Sequence, residues 1–277
     1  MHTKTIDIQT AYTVEPAKLD LYLLDLPEKF ASRERPLVLI CPGGAYARTS
    51  VREAEPVALA FCAMGYHAAV LHYSCAPAVF PAALAELAQS VALVRSHAPR
   101  WHVLPDEICV LGFSAGGHLA ACLGAYWEAK FLQDAAELPA KLMRPNRLIL
   151  GYPVITAGAH CHEESIENLL GGKADDSAAR DLVSIERHVG AGFPKTFLWA
   201  TSDDGSVPVQ NSLLLATALA DAGIPCEAHL FDHGAHGLAL GDWRTESAEK
   251  RETAPRVSSW LALAGSWMEA GRKGLAN

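Results

Sequence analysis

A chain of 277 residues, half of them hydrophobic and 19% charged, has enough apolar material for one large core. Its formal charge of −8, from 31 acidic against 23 basic residues, comes with no Lys/Arg stripe, which argues against nucleic acid as a partner. The opening MHTKTIDIQTAYTVEP has no basic cap followed by an apolar run, and no stretch of about 18 uncharged apolar residues follows, so a soluble, cytoplasmic protein without a membrane partner is expected.

The first segments, IDIQTAY and LDLYLLD, alternate apolar with polar residues and predict a half-buried antiparallel start. The continuous apolar runs 36–41, 66–73, 107–113, 146–152, 195–201 and 226–231 then predict strands buried on both faces, as in a parallel sheet. Between them, EAEPVALAFCAMG, PAALAELAQSVALVRSHA and PVQNSLLLATALADAG have apolar residues at helical spacing. Strand and helix alternating in this way imply right-handed crossovers and a doubly wound α/β sheet with helices on both faces. No repeat or long linker divides the chain, so a single domain spanning 1–277 is expected. Residues 156–192 break the pattern with turns and short helices, and are expected to form a cap or substrate-shaping insertion.

Seven cysteines stand singly, an odd number with no CxxC pair, and predict reduced, mostly buried thiols. His160 and His162 beside Glu163 and Glu164 hint at a metal site, but i,i+2 spacing with no second cluster predicts a solvated loop and no metal. The helix after GFS turns His118 into packing. His72, in LHYS, is expected to be a satisfied core polar group.

At the end of the run 107–113 the sequence reads GFSAGGHLAA, a Gly-x-Ser-x-Gly opening an alanine-rich helix. A tight strand-to-helix turn excludes side chains at Gly112 and Gly116 and lifts the Ser114 hydroxyl above the sheet, the position of a nucleophile. Acyl transfer also needs backbone amides aimed at a developing oxyanion. The glycine-rich ICPGGAY loop supplies Gly44 and Ala45, and Ala115 follows the nucleophile. An acidic loop, TSDDGSVPVQNS, and a histidine loop, DHGAHG, follow later strands, giving the chain order Ser, Asp, His of an α/β-hydrolase. The histidine takes the serine's proton and the carboxylate fixes the histidine's tautomer. Geometry lets only one of His233 and His236 reach both partners.

ICPGGAY, REAEPVALAF, GFSAGGHLA, YPVIT, NLLGG, DDGSVPVQNSL and HGAHGL together resemble the bacterial acetylxylan-esterase-like branch of the α/β-hydrolase superfamily, whose members are also labelled lipase/esterase or xylan esterase. The resemblance runs from the first strand to the last helix. It implies a cofactor-free serine carboxylesterase that favours short acyl groups, with acetylated sugars as the expected substrate class. It places the acid in an Asp-x-x-Val-Pro string, hence Asp204 rather than Asp203. The Val207-Pro208 turn that starts the next helix is in register with the same residue. A Gly-x-Gly-His-Gly string picks His236 over His233. The oxyanion loop departs from the family in reading Gly-Gly-Ala, and alanine should serve there with φ negative. Other acyl hydrolases on the same scaffold remain open, among them an arylformamidase, a lactonase and a small peptidase, as does a non-catalytic binding relative. The sequence leaves open whether the chain forms a homo-oligomer.

Overall fold

The computed structural model describes residues 1–13, 15–30, 32–248 and 253–270; the end of the expected domain, 271–277, lies outside them. Eight strands form one sheet: β1 (His2–Ile8), β2 (Ala17–Leu23), β3 (Arg35–Cys41), β4 (His67–His72), β5 (Val103–Phe113), β6 (Arg147–Gly151), β7 (Lys195–Thr201) and β8 (Cys226–Phe231). Their spatial order is β1-β2-β4-β3-β5-β6-β7-β8. β1 and β2 pair antiparallel with each other, and β2 with β4, while β4-β3-β5-β6-β7-β8 is parallel throughout. The helices are α1 (Glu55–Ala63), α2 (Ala82–Ser96), α3 (Ala98–Trp101), α4 (Ser114–Tyr126), α5 (Lys130–Ala136), α6 (Ala140–Met143), α7 (Glu163–Leu170), α8 (Ser177–Leu182), α9 (Gln210–Asp221) and α10 (Trp260–Ala270).

Successive side chains of a strand point to opposite faces, so the buried runs feed two cores at once. Leu37, Leu39 and Cys41 of β3 join Leu84, Leu87 and Val91 of α2, Leu119 of α4 and Leu215 of α9 on one face. Val38 and Ile40 join Val57 and Phe61 of α1 and Trp260 of α10 on the other. Each face buries aromatic and aliphatic side chains worth roughly 1.5–3 kcal/mol apiece. The crossover from β3 to β4 through α1 and the one from β4 to β5 through α2 run in opposite directions. With right-handed crossovers their helices must lie on opposite faces, and the chain reverses direction at β3. Loops after the carboxyl ends of β3 and β5 therefore meet beside each other, the place where open α/β sheets build their sites.

Two expectations need correction. The first strand spans 2–8 rather than beginning at Ile6, because its pairing with β2 runs from His2 opposite Leu23 to Ile8 opposite Ala17. The run 226–231 is not buried on both faces: β8 pairs only with β7 and alternates intermediate with exposed residues, as an edge strand does. Its apolar composition matched that of a central strand, and only topology separates the two.

The segment 156–192 holds α7, α8 and two short 3-10 turns, Gly171–Lys173 and Ile185–Arg187. Ile166, Leu169, Leu170, Val183 and Ile185 anchor it to the main core. None of the seven cysteines is paired, and four are buried.

Candidate active site

Ser114 stands where β5 becomes α4, with φ +52, a left-handed conformation that costs a non-glycine residue on the order of 1–2 kcal/mol. The turn is tight because backbone passes where side chains would be. A Cβ on Gly112 would lie 2.1 Å from the Gly116 carbonyl oxygen, and one on Gly116 2.1 Å from that of Cys41. Only glycine fits at either place.

The loops after β7 and β8 bring Asp204 and His236 to this serine. His236 Nε2 lies 2.8 Å from Ser114 Oγ, and His236 Nδ1 lies 2.7 Å from Asp204 Oδ2. The Asp204 side chain is 1% exposed, and its Oδ1 accepts the amides of Ser206 and Val207 at 2.8 and 3.0 Å. A carboxylate fixed in this way accepts from Nδ1–H, which leaves the Nε2 lone pair facing the serine hydroxyl. The Tyr152 ring packs edge-on to His236 at 4.9 Å.

The neighbouring Asp203 and His233 pair with each other instead. Asp203 also accepts the Gly234 amide at 2.8 Å. That amide, with His233 adding to it, holds the Asp203 carboxyl below the usual carboxylate range. The His233 side chain is 86% exposed, so this second pair brackets the loop from outside.

The peptide planes of the loop after β3 are fixed through their carbonyls. Pro42 O accepts the Tyr73 hydroxyl at 2.6 Å, Gly43 O the Ser50 amide at 2.8 Å, and Gly44 O the amides of Ala47 and Arg48 at 3.0 and 3.2 Å. Ala45 O accepts Asn168 Nδ2 at 2.9 Å, and Tyr46 O the Ala76 amide at 2.7 Å. A trans peptide points its N–H opposite to its C=O, so the amides of Gly44 and Ala45 are aimed away from these partners. Both residues line the same cleft as Ser114. The Ala115 amide sits in the uncapped first turn of α4, at the positive end of its dipole. One expectation about this loop fails: Ala45 has φ +56, not a negative φ, and stands between Gly44 at +132 and Tyr46 at +56. The loop after β3 thus carries three consecutive left-handed residues, two of which have a Cβ.

Sequence reasoning gave no role to the residues that brace this arrangement. Glu53, 3% exposed, accepts the Gly43 amide on Oε2 and the Tyr152 hydroxyl on Oε1, both at 2.7 Å. The Tyr152 oxygen accepts the Ala239 amide at 2.9 Å. Burial, followed by the Glu53 charge, pushes the Tyr152 hydroxyl well above its ordinary value, so it stays a donor to Glu53. Arg52 donates to the carbonyls of Gly237 and Thr245 at 2.7 Å each. Two adjacent residues thus tie the loop after β3 to the His236 loop. The available signal was REAEP, visible as a family string but silent about its contacts.

Gly44, Ala45, Arg48, Ser50, His162, Glu164, Ser206 and His236 are among the walls of a cleft of about 300 Å³ around Ser114. His162 is therefore not in a solvated loop. It is the N-cap residue of α7, its Nδ1 lies 2.9 Å from Ser165 Oγ, and burial together with the neighbouring His236 lowers its pKa. His160 is exposed and takes part only through its carbonyl, which accepts Asn211 Nδ2 at 2.8 Å. Among the described residues, no three His, Cys, Asp or Glu side chains converge as metal ligands. His118 is fully buried and turned away from Ser114, with Nε2 2.8 Å from Val183 O and Nδ1 2.9 Å from the Tyr46 hydroxyl. His72 is satisfied by Asp20 at 3.1 Å, but at 35% side-chain exposure it is not a core residue, because β4 ends there at the sheet's rim.

The BD-FAE family model matches residues 19–219. The chain is 32% identical over 213 residues to endo-1,4-beta-xylanase B of Butyrivibrio fibrisolvens, covering 76% of this chain and 33% of that one. It is 29% identical over 162 residues to the acetylxylan esterase of Xylanibacter ruminicola, covering 57% and 31%. The chain thus spans about a third of the length of these curated relatives. The crystal structure of an acetyl ester-xyloside bifunctional hydrolase from Caldicellulosiruptor lactoaceticus superposes with a TM-score of 0.80 at 34% identity, covering 96% of both chains. With this fold and a family match over most of its length, the chain belongs to the BD-FAE family of the α/β-hydrolase superfamily.

Proposed function

We propose that this chain is a serine carboxylesterase that hydrolyses short-chain acyl esters, with acetyl esters of sugars or xylo-oligosaccharides as natural substrates. The observation that carries the reading is one imidazole, His236, bridging Ser114 at 2.8 Å and a buried Asp204 at 2.7 Å. As Ser114 Oγ bonds to the ester carbonyl carbon, His236 Nε2 takes its proton and the carbonyl electron pair becomes an oxyanion facing the amides of Gly44, Ala45 and Ala115. Collapse of this intermediate expels the alcohol, which leaves with the proton held on His236. Water, activated by the same histidine, then attacks the acyl-serine and releases the acid. Asp204 accepts from His236 Nδ1–H throughout and stabilises the imidazolium. The cycle needs no cofactor.

Substrate class rests on the walls and on the relatives' names. Arg48, Ser50, His162, Glu164 and Ser206 around the cleft suit a hydroxyl-rich leaving group better than a long acyl chain. Two of the similar proteins are named for acetylxylan and acetyl ester-xyloside chemistry. The chain works as one domain whose 156–192 insertion shapes the substrate site. Unpaired cysteines favour a reducing, cytoplasmic location.

The test is ester release by the wild-type chain, His236→Ala and His233→Ala over acetate, butyrate and octanoate esters and acetylated xylo-oligosaccharides. Acetate should exceed octanoate in kcat/KM, and His236→Ala should lose on the order of 10⁴-fold or more in kcat while His233→Ala keeps most of it. An inactive His233→Ala with an active His236→Ala, or a preference for octanoate, would contradict the reading.

A further inference from the structure

The oxyanion loop is held in a conformation that its own residues disfavour. Ala45 and Tyr46 both carry a Cβ at φ +56, a conformation that L-residues with a Cβ disfavour. Such a backbone persists only where its surroundings over-determine it. Tyr46 is held at its hydroxyl by buried His118 and at its carbonyl by the Ala76 amide. Ala45 has no side chain to grip, and its carbonyl is held by one group, Nδ2 of Asn168 at 2.9 Å. Asn168 comes from α7, whose capping residue His162 and first-turn Glu164 line the cleft.

We propose that Asn168 is a positioning residue for the oxyanion hole: its carboxamide pins the Ala45–Tyr46 peptide and thereby keeps Ala45 left-handed, with its amide aimed at the developing oxyanion. If Ala45 relaxes to negative φ, the chain after it turns about the Ala45 N–Cα bond, the Ala47 and Arg48 amides leave the Gly44 carbonyl, and the Gly44–Ala45 peptide is freed to rotate its N–H off the oxyanion, so that one donor is lost in the transition state. The helix that meets the substrate is in this way bonded to the backbone that stabilises the transition state. The assignment rests on the serine-esterase reading above.

Asn168→Asp separates the hydrogen bond from packing, because it keeps the shape but replaces the donor with a group that repels a carbonyl oxygen. It should lower kcat for a small acetate ester about 10- to 100-fold, somewhat below the loss of a whole oxyanion donor, with KM within about twofold. Asn168→Ala, whose fold is checked by its thermal transition, should do the same. Glycine takes left-handed φ without penalty, so the loss caused by Asn168→Asp should be several-fold smaller when Ala45→Gly is also present. Ser114→Ala belongs in the same series. Equal kcat in wild type and both Asn168 variants, with Ser114→Ala inactive, would overturn the role of Asn168 alone. A loss expressed in KM, or one that Ala45→Gly does not reduce, would overturn it too. Full activity in Ser114→Ala would overturn the esterase reading and the assignment with it.

Discussion

Acidification should unfold this protein through its buried histidines, and His118 shows by how much. Its ring is fully buried, with Nε2–H donating to Val183 O and Nδ1 accepting from the Tyr46 hydroxyl. Burial disfavours the imidazolium and outweighs the help of the Val183 carbonyl, lowering the pKa from 6.5 to about 4. The folded protein therefore keeps His118 neutral while the unfolded chain takes up a proton. Stability is full above about pH 6.5, falls as the pH drops below it, and stops falling on this account below about 4. The whole window is worth about 3 kcal/mol at 1.36 kcal/mol per pH unit per proton. His67, whose pKa burial also lowers to about 4, adds a second proton in the same direction. Urea unfolding of wild type and His118→Gln at pH 6.5 and pH 5 isolates the contribution. Whatever the substitution costs at pH 6.5, wild type should lose about 2 kcal/mol more than the variant between the two values. Equal losses in the two proteins would refute the reasoning, since they would mean that His118 does not stay neutral in the fold.

Three further outcomes follow from the site. Asp204→Asn should lower kcat for acetate esters by on the order of 10⁴-fold through the wrong histidine tautomer, while Asp203→Asn should cost little, since its partner His233 faces solvent; steady-state kinetics showing the reverse would move the acid. Glu53→Gln presents an N–H where the Gly43 amide or the Tyr152 hydroxyl needs an acceptor, so it should destabilise the fold by about 1–3 kcal/mol and depress kcat more than KM; an unchanged denaturation midpoint and unchanged kcat would remove its bracing role. His162→Gln should raise KM for an acetylated xylo-oligosaccharide more than for a small aryl acetate, because His162 is part of the cleft wall and the larger alcohol fills more of that cleft; equal effects on the two substrates would place the sugar elsewhere.

Features written in local sequence were readable. Gly112-x-Ser114-x-Gly116 encodes its own turn, since the carbonyls that exclude a Cβ belong to the elbow and to the strand beside it. The helices around α2 and α9 and the strand 195–201 were readable from apolar spacing. What was hidden depends on distant contacts or on backbone strain. Nothing in the strings around Glu53 and Tyr152 says that the two meet across 99 positions, nor that Asn168 reaches Ala45 across 123. Ala45 was expected at negative φ because an isolated alanine prefers it, and tertiary bonds reverse that preference. His162 read as solvated because periodicity cannot tell a loop that faces water from one that faces a cleft. The edge position of β8 was equally invisible, since strand order is a property of the whole chain.

The central claim, that His236 makes Ser114 a nucleophile, is tested most directly by treating the folded chain with a fluorophosphonate and mapping the labelled peptide by mass spectrometry. The account predicts one phosphonyl adduct per chain, located on Ser114, with loss of acetate-ester hydrolysis in step with labelling and no adduct in His236→Ala over the same time. A folded wild-type chain that hydrolyses acetate esters while Ser114 stays unlabelled, or one labelled at the same rate without His236, would contradict it.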